Sequence, residues 1–277
     1  MQADCHIHMV LDGQYWRSAM DRHSPYPQEG WVRQVLQTYK DRGYTYLRDG
    51  GDRLGAGLLA RKLAPEYGIC YRTPLSPLHK IGHYGSFIGT GWSTLSEYAD
   101  LVVRTRQAGG NFIKIMISGL MDFHQFGVLT EPGLAPEEIR ELIHIAHEEG
   151  LSVMAHANGA RTVEAAAASG VDSVEHGAYL DHEALAAMKQ AGTVWVPTLS
   201  TVGNLLGTGR FPDKEVEKIL CSALENLAAY KGFVAPGTDA GAWAVPHGSQ
   251  TEEALLRQAG IDSVRLAEGI EQIRKKF

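Results

Sequence analysis

A short apolar run followed by an amphipathic helical pattern repeats from one end of this chain to the other, and that alternation constrains the fold more than any other feature. Runs with strand character fall at 4–10, 44–49, 69–74, 111–117, 151–156, 172–176, 193–198 and 233–238. Helical patterns fall near 29–42, 55–66, 94–108, 136–149, 159–169, 182–191, 213–231 and 249–274. Gly43, Gly68, Gly150, Gly170, Gly192 and Gly232 each end a helical pattern just before the next strand, where glycine readily takes the left-handed conformation that closes a helix. The segment "APEEIRELIHIAHEEG" shows the whole device, with Pro136 and acidic residues opening the helix and Gly150 closing it. Eight strands alternating with eight helices predict an α/β fold, a (β/α)8 TIM barrel in preference to a doubly wound sheet. The 277 residues suit one such barrel, which takes about 250. No linker or low-complexity stretch interrupts them, so residues 1–277 read as a single domain.

A barrel puts its chemistry at the C-terminal ends of its strands, so those ends are read together. The first strand lies in "DCHIHMVLDG" and carries His6 and His8. Residues two apart on a strand share a face, which places Asp4, His6 and His8 on one side and Cys5, Ile7 and Met9 on the other. Two adjacent imidazoles can chelate a metal, although His-x-His alone does not specify one. The fourth strand, "NFIKIMIS", holds Lys114 among apolar neighbours. Burial there disfavours the ammonium and lowers its pKa. A neutral amine can take up carbon dioxide to give an anionic carbamate able to bridge two metals; the plain alternative is a lysine that reaches the barrel mouth and pairs with a carboxylate. The fifth and sixth strands end at His156 and His176, and Asp239 stands at the exit of the eighth. Six potential ligands therefore converge on one funnel.

These motifs resemble the amidohydrolase superfamily of metal-dependent hydrolases, in its imidazolonepropionase-like and Xaa-Pro-dipeptidase-like branch. The resemblance rests on "DCHIHMVLDG", "TYLRDGGDRLG", "FIKIMISG", "VMAHANGARTVEAAAASGVDSVEHGAYLD", "VPTL" and "GTDAG", which span most of the chain in the family's order. It implies a binuclear centre of two divalent ions: zinc, with manganese, iron or nickel as alternatives. His6, His8 and Asp239 would hold the buried ion and His156 and His176 the more exposed one. N-carboxylated Lys114 and a hydroxide would bridge them. It further implies hydrolysis of an amide-type C–N bond in a dipeptide, N-acyl amino acid or small cyclic amide. The bridging hydroxide would be the nucleophile and Asp239 the catalytic proton shuttle. Lactone, ester or phosphotriester hydrolysis on the same centre is the first rival; an isomerase, a decarboxylase or a silent metal-binding barrel is the second. A mononuclear deaminase fits less well, because "AHANGAR" lacks a glutamate acid/base. The β-sandwich that flanks many family barrels is not expected here.

Two long connections, about 75–93 and 118–135, follow strands and so lie at the same face. His83 and Tyr84 in the first, with His247 after the last strand, are the candidate substrate contacts. Arg48 and Asp49 end the second strand and read as a structural ion pair or as substrate contacts. Cys5, Cys70 and Cys221 are too few for a disulfide framework; Cys5 and Cys70 are expected to face outward toward the helices. A net charge of −6 without a basic block argues against nucleic acid, and no run of about 20 apolar residues argues for a membrane span. No signal peptide is visible, so a cytoplasmic protein acting on a small molecule is expected, with homo-oligomer formation left open.

Overall fold

The computed structural model describes residues 2–277 and contains nine strands: β1 (Gln2–Ile7), β2 (Tyr44–Asp49), β3 (Cys70–Arg72), β4 (Leu78–Lys80), β5 (Thr90–Trp92), β6 (Ile113–Met116), β7 (Val153–Ala157), β8 (Ser173–His176) and β9 (Val194–Val196). All ladder pairs are parallel, in the orders β1-β2-β3 and β5-β4-β6-β7-β8-β9. Backbone hydrogen bonds join the two sheets into a ring. On one side Asn111 N donates to Thr73 O at 2.9 Å. On the other, segment 233–240 lies between β9 and β1: Trp195 N donates to Phe233 O, Ala235 N to Trp195 O, Cys5 N to Pro236 O and Asp239 N to His6 O. The barrel expected from the sequence is therefore closed, and its eighth stave is this segment. It has no regular ladder, only an isolated bridge between Trp195 and Val234 and another between Ile7 and Ala240.

The helices expected at 29–42, 136–149 and 182–191 are Glu29–Asp41, Pro136–Glu148 and His182–Ala191. Where the sequence suggested one long final helix, the chain forms two, Thr251–Gln258 and Ser263–Lys276. Gly260 takes a φ of 78° between them, and Asp262 caps the second by accepting from Arg265 N at 2.9 Å. The short helices Trp16–Arg22 and Ser200–Gly203 and the strands β4 and β5 lie in segments where no element was expected. Pieces of three to seven residues carry too little periodicity to be read.

The first strand differs from its expected geometry in a way that matters. Asp4 pairs with Leu47 and Ile7 with Asp49, three residues advancing on β1 against two on β2. This is a β-bulge, and a bulge re-aims side chains. Below it Ala3 and Cys5 point into the barrel, packed with Tyr46, Phe112, Met154 and Val196. Cys5 thus faces inward and is fully buried, contrary to the outward face expected for it. Asp4 does not share the face of His6: it lies outside the wall, accepting from Thr238 N, Thr238 Oγ1 and Tyr39 OH. After the bulge His6 faces the interior, as does His8 just past the strand's end. Ile273 of the last helix and Phe277, just past its end, close the floor of the barrel. Each large apolar side chain buried there contributes about 1.5–3 kcal/mol, which helps to offset the polar groups gathered above.

Candidate metal centre

The roof of the barrel is assembled from strand ends that carry imidazole, amine and carboxylate groups. His6 and His8 bring their ring centroids to 5.3 Å, His6 and His176 to 5.3 Å, and His156 and His176 to 4.5 Å. Asp239 Oδ1 lies 3.3 Å from His8 Nε2 and 3.6 Å from His6 Nε2. One ligand atom from each of His6, His8 and Asp239 falls within 4.8 Å of the others. His6 Nε2, His8 Nδ1, Lys114 Nζ and Asp239 Oδ1 are buried without any hydrogen-bond partner. Orphaned buried polar atoms are rare in folded proteins because each carries an unrepaid desolvation cost. Four of them together fit a divalent cation.

What holds these groups is as informative as the groups themselves. Glu175, fully buried beneath them, accepts at Oε2 from His6 Nδ1 at 2.8 Å and at Oε1 from Arg48 Nη2 at 2.8 Å and Ser173 Oγ at 2.6 Å. With Nδ1 carrying the proton, His6 presents Nε2 as the free donor. His176 Nδ1 is bound to Thr198 Oγ1 at 2.6 Å, which likewise leaves Nε2. His156 is reversed: its Nε2 donates to Gly119 O at 3.1 Å, so Nδ1 is its free atom. Gly119 cannot carry a side chain, since a Cβ would lie 2.5 Å from Glu131 N. A Cβ at Gly50 would run into the His8 ring, so the "RDGG" glycine makes room for a ligand. His176, Thr198 and Asp239 have φ values of 69°, 50° and 55°, each costing on the order of 1–3 kcal/mol for a non-glycine residue. The chain leaves three staves through strained turns at the same place.

Burial is the main electrostatic influence here. It lowers the pKa of His6, with the nearby Lys114 charge adding to the effect, and lowers His176 and His156, the latter to about 3. These imidazoles are neutral at pH 7 and can donate lone pairs. Burial also brings Lys114 down to about 8, against the opposing pull of Glu175 and Asp239. For Asp239 burial acts upward, but His6, His8 and Lys114 outweigh it and the carboxyl stays below its usual range.

Among the candidate substrate contacts, Tyr84 is at the site, its ring 4.8 Å from that of His156. His83 is about a third exposed, its Nδ1 3.6 Å from Glu131 Oε2. His247 has both nitrogens engaged, by Leu11 O at 2.9 Å and Tyr39 OH at 3.4 Å. Arg48 and Asp49 do not pair with each other, because neighbouring residues on β2 face opposite ways: Arg48 points inward to Glu175, and Asp49 outward to Thr73 Oγ1 and Met9 N. Glu175, Thr198 and Gly119 were not singled out from the sequence. Glu175 was the findable one, an acid in an apolar strand one residue before a ligand histidine.

A profile described as the amidohydrolase family matches residues 54–263. An ochratoxinase of Aspergillus niger is 26% identical over 271 residues, covering 84% of this chain and 55% of that protein. The chain spans about half the length of the curated relatives it matches. Among solved structures, a Xaa-Pro dipeptidase with methionine bound in its active site superposes with a TM-score of 0.76 at 21% identity, covering 99% of this chain and 75% of that one. The A. niger ochratoxinase structure gives 0.75 at 20% identity, covering 98% and 68%. These two likenesses establish a common fold. Among the described residues no helix is long and apolar enough to cross a membrane.

Proposed function

The chain belongs to the amidohydrolase family, and from that premise we propose that it is a hydrolase of amide-type C–N bonds working with two divalent metal ions. The substrate class is a dipeptide, an N-acyl amino acid or a small cyclic amide. The observation that carries this reading is the set of partnerless buried atoms on His6, His8, Lys114 and Asp239, with the free nitrogens of His156 and His176 beside them. Relatives named as an ochratoxinase and a Xaa-Pro dipeptidase support hydrolytic chemistry.

His6, His8 and Asp239 would hold one ion and His156 and His176 the other, with Lys114 between. The mixed imidazole and carboxylate donor set suits zinc, then manganese, iron or nickel. The chemistry such a pair supplies is acidification of a water and polarisation of a carbonyl. The rest falls to the chain. Lys114, whose pKa burial brings down to about 8, reaches its neutral form far more readily than an exposed lysine and in that form would attack the carbon of carbon dioxide; a new N–C bond forms, the nitrogen gives up a proton to solvent, and the product is an anion with two oxygens. Glu175 retains the Nδ1 proton of His6 and so fixes its tautomer. Asp239, ionised and 8% exposed, accepts the proton of the attacking water. It then delivers that proton to the leaving nitrogen as the C–N bond breaks. Tyr84, over His156, forms one wall for the substrate.

Protein purified from zinc- or manganese-supplemented cells should contain close to two divalent ions per chain by elemental analysis. His6→Ala and His176→Ala should each lose metal, and the loaded enzyme should release amine from members of a dipeptide and N-acyl amino acid library. A protein that is metal-free after gentle purification and cannot be reloaded overturns the reading. Turnover of lactones or phosphotriesters alone would move the substrate class to the first rival.

A further inference from the structure

A second cavity lies away from the barrel mouth, outside β1, between segment 236–238 and the helices Thr251–Gln258 and Ser263–Lys276. Its volume is about 470 Å³, enough for a small organic molecule. Asp4, Glu252, Glu253 and Glu271 line it against one cation, Arg274. Three of these acids are already served. Asp4 is bound by Thr238 and Tyr39, Glu253 pairs with Arg257 at 3.3 Å, and Glu271 with Lys275 at 2.7 Å.

Glu252 is different. It is 2% exposed, and its Oε2 accepts from Ser200 N at 2.8 Å and Ser200 Oγ at 3.0 Å, while Oε1 has no partner. A buried carboxyl oxygen left unpaired is a cost that a structural role in holding Ser200 does not explain, since that role uses the other oxygen. We propose that this cavity binds a small organic cation, an ammonium or guanidinium group on a short apolar stem, with Glu252 as the anchor. Leu266 and Ile270 in the same wall provide apolar surface for the stem. Burial pushes the Glu252 carboxyl up to about 8, and a cation beside it favours the ionised form. An occupant would lie against the braces of the metal centre. Asp4 holds Thr238, the neighbour of Asp239, and Glu252 holds Ser200, two residues beyond the Thr198 that binds His176.

Isothermal titration of the metal-loaded 277-residue chain with 1,4-diaminobutane and n-butylamine at constant ionic strength tests this, with butyrate as the anionic control. Saturable 1:1 binding of the amines and none of butyrate is expected. Glu252→Gln should weaken amine binding at least roughly tenfold. Ala267→Trp, which adds bulk at an exposed lining position of the cavity, should abolish it and leave hydrolysis unchanged; if Glu252→Gln fails to fold, this variant decides. The proposal is overturned by no saturable amine binding into the millimolar range, by equal binding of butyrate, or by amine binding that survives Ala267→Trp.

Discussion

His6 and His8 stand at the barrel's own wall, with Glu175 and Arg48 fully buried behind them, whereas His156 and His176 are steadied from the connecting segments. There the supports are the Gly119 carbonyl, the Thr198 hydroxyl and the Tyr84 ring. The first pole depends on a buried ion pair and the second on neutral hydrogen bonds and a loop. Removing one partner of a buried pair leaves an uncompensated charge, at about 3–5 kcal/mol, while a neutral hydrogen bond is worth about 1 kcal/mol. On the proposed reading, the rigid pole would fix one ion and the softer pole would face the substrate. Asp239 stands with the first pole, its Oδ1 3.3 Å from His8 Nε2 and 3.6 Å from His6 Nε2.

The largest effect should come from Asp239. Asp239→Asn keeps one oxygen and the shape of the side chain but cannot accept a proton at neutral pH. At equal metal content, amide hydrolysis should fall by roughly 10²–10⁴-fold, with less loss on an activated ester whose leaving group needs no proton. Near wild-type amide turnover by the fully metallated variant would remove Asp239 from proton transfer.

Next in size is the pH dependence that Lys114 imposes on the metal-free, carbon-dioxide-free protein. Its folded pKa is about 8 against an ordinary 10.5, so between those values the unfolded chain binds more protons. Stability should therefore rise with pH across that window, by about 3 kcal/mol in all, and the gain be lost again as pH falls from 10.5 to 8. Denaturant titrations of wild type and Lys114→Met across pH 8 to 10.5 read the difference; parallel curves would show that Lys114 is not held as a buried amine.

The comparison itself is broken or sharpened by the supports. Glu175→Gln should weaken the ion at the His6 pole by roughly 10–100-fold and leave the other nearly unchanged. Thr198→Ala should do the reverse and no more than about tenfold, with Thr198→Ser restoring it. Competition with a chelator, following the two ions separately, distinguishes these outcomes. Equal loss at both poles from either variant would mean that the centre is held as one unit.

Much of this was legible in the residues. The alternation of strand and helix pointed to the barrel, and the apolar strands carrying a lone lysine or ending in histidine pointed to the roof, because both signals are local and repeat with a fixed period. His6, His8, Lys114, His156, His176 and Asp239 all stand out in that pattern as candidate ligands. The bulge in β1 was not legible: strict alternation put Asp4 with His6 and Cys5 outside, and only pairing with β2 inserts the extra residue that turns Cys5 inward and Asp4 out to Thr238. Nor was the eighth stave, whose pairing is too irregular to leave a period.

By itself the sequence determined which chemical groups stand at the strand ends, since that depends on order along the chain. The tertiary structure alone decided which nitrogen each histidine offers, because Glu175, Thr198 and Gly119 reach their partners from other staves and loops. It also decided that His83 lies beside Glu131, that His247 is held by Leu11 and Tyr39, and that Glu252 lines a second cavity. Contacts between residues far apart in sequence arise only when the barrel closes and a shared face is buried, and no local period records them.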